Sequence, residues 1–266
     1  MNEEKHSPKA RWGKALLPLA GLPLLVLLIV PMGALLARIK PSDFAHELTE
    51  PATAQAMWLS LFTSCAAVII SVLFGTPVAY LLARRRFAGR MILDTLIDLP
   101  TVLPPAVAGI ALLMTFGRGG LFGPILTRLG IQIVFTPIAV VLAQTFVAAP
   151  YYVKSAAIGL AGVSRDLESA AALDGASPLQ VFRGVTVPVA WRALVGGAAL
   201  CWARALGEFG ATIIFAGNYP GRTQTMPLAV YIGFQIDLNQ ALALGAVLLG
   251  ISFTLLIAIR WTLRGR

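Results

Sequence analysis

The sequence predicts an all-α polytopic membrane protein that crosses the bilayer six times. Two observations carry this prediction. Hydrophobic residues make up 58% of the 266 positions and charged residues only 12%, and long apolar runs end at clusters of basic residues. A soluble domain has about 25% charged residues and cannot bury so much apolar surface. Disordered chains are polar, and porin strands alternate apolar with polar residues, so both of these classes are excluded.

The first two apolar runs are each long enough to cross a bilayer. A basic tail, 1–14, is predicted to be cytoplasmic and precedes the run 15–37. That run is longer than the apolar core of a signal peptide, about 7–15 residues, so we interpret it as an uncleaved helix. The second run, 51–83, stops at three consecutive arginines, 84–86. It exceeds the roughly 20 residues that one crossing requires.

The third crossing carries three prolines at its start. It follows Asp98, contains Pro100, Pro104 and Pro105, and ends in the glycine-rich patch 117–120. Proline removes a backbone donor, so these residues are predicted to break the helix. Two interpretations stay open: a simple kink beside the cytoplasmic surface, or free N–H groups that attract an anion. Asp98 would repel an anion, so we predict that it makes a helix-end or inter-loop contact and is not a ligand.

Three further crossings complete the predicted topology. They cover about 129–153, 193–217 and 241–259, and a largely polar stretch, 154–192, separates the fourth from the fifth. Fifteen of the 21 Lys and Arg residues fall on the side of both termini and five on the other, with one inside a crossing. The positive-inside rule therefore predicts cytoplasmic termini and a cytoplasmic 154–192 stretch. This asymmetry also accounts for the net charge of +9 without a nucleic-acid partner.

The polar stretch between the fourth and fifth crossings is predicted to form two short helices. Ser164 can cap the first, and Gly175 is a typical helix stop. Ser177 opens a capping box, with Pro178 at the first helical position of the second helix. Pro188 is predicted to limit that helix. The result is either a compact, alanine-rich protrusion suited to contact with another protein, or an ordinary cytoplasmic loop.

This stretch resembles the EAA loop of permease subunits of binding-protein-dependent ABC importers. That pattern is Glu-Ala-Ala, three residues, Gly, nine residues, an aliphatic residue, any residue, and Leu-Pro. Gly175 and Pro188 match the glycine and the proline, whereas Ser169 stands at the glutamate position and Glu168 lies one residue earlier. The resemblance implies that 164–188 is a coupling loop which docks into a cleft of a cytoplasmic ATPase. The implied coupling residues are Glu168, Ser169, Ala170, Ala171, Gly175, Ala176, Ser177, Pro178 and Pro188.

Other segments are similar to the oxyanion branch of the same family. The segment 98–105 resembles its third helix, 204–212 the fifth-helix signature of molybdate and sulfate permeases, and 221–231 the molybdate type. The resemblance implies a type I ABC importer permease fold in a single domain, 15–266, with its core at about 55–262. It implies import of molybdate, with tungstate left open. A sulfate or thiosulfate permease is the alternative.

The same resemblance implies partners for this chain. It implies a homodimer, two copies of an ATPase subunit, and a periplasmic or lipid-anchored oxyanion-binding protein, in a bacterial or archaeal inner membrane. The sequence has no GxxxxGK[ST] motif, so ATP and magnesium are expected on the ATPase subunit. It also has no HExxH, GxSxG or carboxylate and histidine cluster, so we predict no catalytic residue, no metal site and no bound cofactor.

A secondary anion transporter or channel is a weaker alternative on energetic grounds. Moving one charge against about 100 mV costs roughly 2.3 kcal/mol, so a divalent anion entering a negative-inside cell costs roughly 4.6 kcal/mol. A passive channel would therefore let the anion leak outward. Uptake requires a fuel, and this sequence shows no fuel-binding motif of its own.

Two opposite charges stand inside the fifth crossing. Arg204 and Glu208 are four residues apart, so on a helix they share a face and are predicted to pair. The pair either orients the helix, or Arg204 lends positive potential to an anion pathway, or the pair breaks as a gate opens. Gly207 and Gly210 are predicted to act as packing or hinge residues. The pathway or gate candidates are Arg204, Gly207, Glu208, Gly210, Pro100, Pro104 and Pro105.

Overall fold

The computed structural model describes the backbone of residues 9–264 and the side chains of residues 20–262. Of the predicted basic tail, residues 1–8 lie outside this description. Between residues 9 and 264 the chain is helical and has no strand. The helices are α1 (Lys9–Ala37), α2 (Pro41–Thr49), α3 (Pro51–Arg84), α4 (Arg90–Val102), α5 (Pro105–Phe116), α6 (Gly123–Arg128), α7 (Pro137–Ala161), α8 (Arg165–Leu173), α9 (Pro178–Val181), α10 (Val187–Leu206), α11 (Gly210–Phe215), α12 (Met226–Ile236) and α13 (Leu238–Arg264), with a π-helical turn at Phe182–Thr186 before α10.

Five of the described helical segments are long and apolar enough to cross a membrane, and a bent pair of helices makes a sixth. The prediction of six crossings is confirmed when that pair counts as one. The second crossing, α3, matches its predicted bounds almost to the residue. The fourth crossing begins later than the predicted residue 129, because the chain is extended at Thr136 and α7 begins only at Pro137. Consequently Lys154 lies inside α7 and not in the following loop.

The third crossing is not one straight helix. It consists of α4 and α5, and the chain bends by 114° between these two helices. Pro104 and Pro105 make the break, because a residue before proline avoids the helical conformation: ψ is 138° at Leu103 and 132° at Pro104. The prediction that Pro100 also breaks the helix is wrong. Pro100 lies inside α4, near its end, where only one backbone hydrogen bond is lost.

The fifth crossing begins earlier than predicted and ends sooner. Helix α9, the π turn and α10 form one continuous helical segment, Pro178–Leu206. The prediction that Pro188 limits the second short helix is therefore wrong. The π turn widens the helix just before it, with the Val187 N–H bonded to the Phe182 carbonyl, so Pro188 is tolerated in the first turn of α10. The chain then breaks after Leu206, and an additional apolar helix, α12, fills the sequence before α13.

Small residues allow α3, α7 and α10 to pack closely at the centre of the bundle. Ala67, Ala148 and Ala156 are fully buried there. A side chain larger than glycine at 75 would meet the Tyr152 ring at 3.0 Å. In a membrane the hydrophobic effect does not drive helices together, so their association depends on van der Waals packing. Small residues favour this packing because they let the helix backbones approach closely. The Tyr152 and Thr76 hydroxyls add a 2.6 Å hydrogen bond between α7 and α3.

Candidate functional site

The first helix of the coupling segment, which we define as residues 164–188, ends in a Schellman motif. Gly175 has φ of +89°, the left-handed conformation that glycine adopts most easily. Its N–H bonds to the Ala172 carbonyl at 3.1 Å, and the Ala176 N–H bonds to the Ala171 carbonyl at 3.1 Å. These two bonds satisfy carbonyls that a helix end leaves open. The predicted helix stop at Gly175 is therefore present.

Side-chain caps begin both short helices of the coupling segment, as predicted. The Ser164 hydroxyl accepts a hydrogen bond from the Asp166 N–H at 3.2 Å. Ser177 and Gln180 form the full capping box: the Ser177 N–H donates to the Gln180 side chain at 2.7 Å, and the Gln180 N–H donates back at 3.4 Å. Pro178 takes the first helical position. The sequence alone therefore specifies the start of each helix.

Helix α8 presents one face to its own chain and the other outward. Glu168 and Ala171 are partly buried, whereas Ser169 and Ala170 are exposed. Three leucines of the coupling segment also point outward, and Leu173 is 89% exposed. We call these outward residues the coupling surface: Leu167, Ser169, Ala170, Leu173 and Leu179. Sequence reasoning overlooked the leucines, although apolar residues in a polar loop are the signal that marks them.

Glu168 bonds inside the chain. Its Oε1 accepts a hydrogen bond from Arg84 Nη2 at 2.7 Å and another from the Thr186 hydroxyl at 2.6 Å. A second guanidinium nitrogen of Arg84 donates to the Val163 carbonyl at 3.0 Å. The Arg84 and Glu168 side chains are only 8% and 18% exposed. We call this group, Arg84, Glu168, Thr186 and the Val163 carbonyl, the Glu168 cluster.

The predicted ion pair of the fifth crossing is present. Arg204 Nη1 lies 2.7 Å from Glu208 Oε2, with side-chain exposures of 29% and 1%. Helix α10 ends at Leu206, so the pair joins the helix end to the break that follows it, not two turns of one helix. The other Glu208 oxygen accepts the Ala211 N–H at 2.9 Å. Glu208 therefore forms an ion pair with the end of α10 and accepts a hydrogen bond from the first turn of α11, so it connects the two helices across the break.

The two broken crossings meet where α5 and α11 begin. A Cβ at Gly210 would lie 2.6 Å from the Pro105 Cβ, and one at Gly109 would lie 2.8 Å from the Ala211 carbonyl oxygen. Gly210 is thus a close-packing residue, whereas Gly207 ends α10 and has only an ordinary 3.6 Å neighbour. The structure brings Pro105, Glu208 and Gly210 to one place. Pro100 belongs to α4, on the other side of the bend.

A lysine bridge joins α4 to α7. Lys154 Nζ lies 2.6 Å from Asp94 Oδ1 and 2.8 Å from Asp98 Oδ2. The two aspartates are four residues apart and so face the same way on α4. Asp98 therefore contacts the middle of another helix, Lys154 of α7, and does not make the helix-end or inter-loop contact that was predicted. Sequence reasoning missed Asp94, although its spacing from Asp98 was visible.

Among the side chains that the structure describes, residues 20–262, no group of three His, Cys, Asp or Glu is placed to hold a metal ion. Glu47 on α2 is 9% exposed. Burial raises the pKa of Glu47, and the negative charge of Asp237 raises it further. Glu47 belongs to α2, which is not one of the candidate membrane spans.

Comparison with known proteins decides the family. A sequence model described as binding-protein-dependent transport system inner membrane component matches residues 71–261, most of the chain. The chain belongs to this family. It is therefore a multi-pass inner-membrane transport component, with the described apolar helices as its spans.

Curated relatives place this permease in the molybdate and sulfate branch. It is 44% identical over 230 residues to the molybdenum transport system permease protein ModB of Mycobacterium tuberculosis, covering 84% of this chain and 85% of that one. It is 35% identical over 245 residues to the sulfate transport system permease protein CysT of Salmonella typhimurium, covering 91% and 88%. Both relatives are permease subunits, as the sequence resemblance predicts.

Solved structures show the fold of the permease. A bacterial ABC transporter involved in alginate import superposes with a TM-score of 0.74 at 16% identity, covering 95% of this chain and 94% of that one. The MetNI methionine ABC transporter gives 0.61 at 18% identity, covering 79% and 94%. The predicted type I ABC importer fold is confirmed.

Proposed function

We propose that this permease is the transmembrane subunit through which an ATP-driven importer moves molybdate into the cell. The observation that carries the proposal is the 44% identity to ModB over 84% of the chain. Molybdate and tungstate are ions of the same charge and nearly the same size, so tungstate is a second cargo of the same pathway. The chain itself acts as a transport subunit and catalyses no reaction.

The energy for uptake comes from a separate ATPase. Two negative charges entering against the membrane potential cost roughly 4.6 kcal/mol at about 100 mV, before any concentration gradient. The chain has no phosphate-binding loop, so its partner must bind ATP and magnesium. The assembly contains two copies of this chain, two ATPase subunits on the cytoplasmic side, and an external oxyanion-binding protein. Both termini and the coupling segment lie in the cytoplasm.

The coupling surface is the contact for the ATPase. Leu167 and Leu173 are exposed on α8, which lies outside the candidate membrane spans, and Leu179 is exposed in the first turn of α9. Exposed apolar groups of this kind mark sites of protein contact. Gly175 and the Ser177 capping box hold the two short helices in the angle that presents this surface. The matched EAA glycine and proline, Gly175 and Pro188, support the same assignment.

The anion pathway follows the two broken crossings. Breaks in membrane helices are tolerated where they line a cavity or are buried in protein. The breaks at Pro104–Pro105 and at 207–209 come together through the contact between Pro105 and Gly210. Arg204, which is 29% exposed, supplies positive charge beside that point. We assign the gate to this junction. Glu208 fixes the position of α11 relative to α10 there, through Arg204 and the Ala211 N–H.

Sulfate or thiosulfate import is the second candidate. It is favoured by the 35% identity to CysT over 91% of the chain. The test is uptake of labelled molybdate by cells that carry this permease with its ATPase and binding protein but lack other oxyanion carriers. Molybdate uptake that survives excess sulfate, and falls with excess tungstate, is the expected result. Uptake that excess sulfate abolishes favours the second candidate, and uptake without the ATPase would refute the ABC assignment.

A further inference from the structure

Glu168 faces away from the surface that would meet a partner. On α8 its neighbours Ser169 and Ala170 are exposed, whereas Glu168 is turned inward and 18% exposed. Both donors to its Oε1, Arg84 and Thr186, belong to the same chain. The carboxylate is therefore engaged before any partner arrives.

The Glu168 cluster joins four parts of the molecule at one end of the bundle. Arg84 is the last residue of α3, and Val163 follows the end of α7. Thr186, 1% exposed, closes the π turn that leads directly into α10. Hydrogen bonds to charged groups are stronger than neutral ones, and more so when water is largely excluded. The first helix of the coupling segment is thus bonded to the ends of α3, α7 and α10 through one carboxylate oxygen and one guanidinium.

We propose that Glu168 is a positioning residue that makes α8 move together with α3, α7 and α10, and that it is not a contact of the ATPase. The proposal rests on the proposed coupling function. A push on the coupling surface is transmitted to the three spans because the bonds at Glu168 prevent α8 from tilting alone. Without these bonds the ATPase still binds, since the coupling surface is intact. Its movement then displaces α8 alone and does not displace α3, α7 and α10.

The chain offers two matched controls. Asp166 lies on the same helix and is exposed, and its side chain makes no hydrogen bond or ion pair with the described residues. Asp166→Ala therefore removes a carboxylate without touching the Glu168 cluster. Leu173→Ala removes an 89% exposed side chain of the coupling surface and should weaken ATPase binding instead.

The first experiment measures molybdate uptake and ATP hydrolysis in the same proteoliposomes containing the complete importer. For Glu168→Ala and Arg84→Ala we expect normal ATPase copurification and a loss of about tenfold in molybdate transported per ATP, since a charged hydrogen bond is removed. Glu168→Gln keeps an acceptor oxygen and should lose less. The exchanged pair Arg84→Glu with Glu168→Arg should recover part of the ratio. An unchanged ratio in Glu168→Ala, or a loss of ATPase binding like that of Leu173→Ala, would overturn the proposal.

The second experiment does not depend on the transported ion. Spin labels at exposed positions 86 and 166, both outside the coupling surface, in a variant whose Cys65 and Cys201 are replaced by alanine, report the distance between α8 and the end of α3. We expect one narrow distance in both the nucleotide-free and the vanadate-trapped importer, and a broad distribution in Glu168→Ala. A distribution that stays narrow in Glu168→Ala would refute the positioning role. A wild-type importer that fails to take up molybdate contradicts only the proposed function.

Discussion

Replacing Gly175 by valine tests the coupling segment, and the chain contains a matched control. Gly175 and Gly130 both end a helix in a Schellman motif, with φ of +89° and +69°. A Cβ at either position would meet no heavy atom within 4 Å. The two substitutions therefore introduce the same backbone strain without a steric clash inside the chain. Only Gly175 lies in the coupling segment.

The expected size of the effect follows from the left-handed conformation. An L-residue there costs about 1–2 kcal/mol, and a β-branched residue falls at the upper end. At 25 °C this range corresponds to a factor of about 5–30 in the local equilibrium between the native and a relaxed helix end. The membrane helices do not use this conformation, so insertion and abundance in the membrane should stay unchanged.

The assay compares the initial rate of molybdate uptake, membrane abundance and copurified ATPase for both variants. Gly175→Val should lower uptake about 5–30-fold, in line with the local equilibrium, either with less ATPase bound or with ATPase bound but uncoupled. Gly130→Val should retain wild-type uptake, because its strained helix end lies outside the coupling segment. Wild-type uptake together with wild-type ATPase retention in Gly175→Val would refute the reasoning, as would equal losses in both variants.

Three further predictions concern the membrane break, the topology and the buried acid. Arg204→Ala should destabilise the permease by about 3–5 kcal/mol, because Glu208 is left buried and unpaired, and replacing both residues by apolar ones should be milder; an unchanged melting temperature and normal uptake in Arg204→Ala would contradict this. In a background without native cysteines, Ser177→Cys should react with an impermeant thiol reagent only in inside-out vesicles, and labelling of intact cells would overturn the predicted topology. Burial and the charge of Asp237 raise the pKa of Glu47, so its ionised form destabilises the fold above that raised pKa and not below its ordinary value. Glu47→Gln should therefore raise the thermal midpoint at about pH 8 more than at about pH 4, and equal shifts would argue against the pKa change.

Local features of the coupling segment followed from the sequence. The caps at Ser164 and Ser177 and the stop at Gly175 all appear where they were predicted. These features depend on backbone geometry and on hydrogen bonds between residues at most five apart, so the local sequence is sufficient to specify them. The number of spans followed as well, since bilayer thickness fixes the length of an apolar helix.

Residue spacing also predicted the contact between Arg204 and Glu208, but it did not predict that the helix ends between these two residues. Four residues of separation brought the charges together, yet Leu206 ends the helix between them. The third crossing shows the same limit. Its prolines signalled a break, but neither the 114° bend nor the place of Pro100 inside α4 could be predicted from them.

The sequence by itself determined that the chain is helical with five or six apolar spans, which residues begin the two short helices, and where the first of them ends. Only the tertiary structure decided which way Glu168 faces, how Lys154 is accommodated within α7, and that the helix continues through Pro188. The physical reason is the range of the interactions. Capping and the apolar character of a continuous run depend on neighbouring residues, whereas the contacts of Glu168 and Lys154 are made with Arg84, Asp94 and Asp98, which lie at least 56 residues away in sequence.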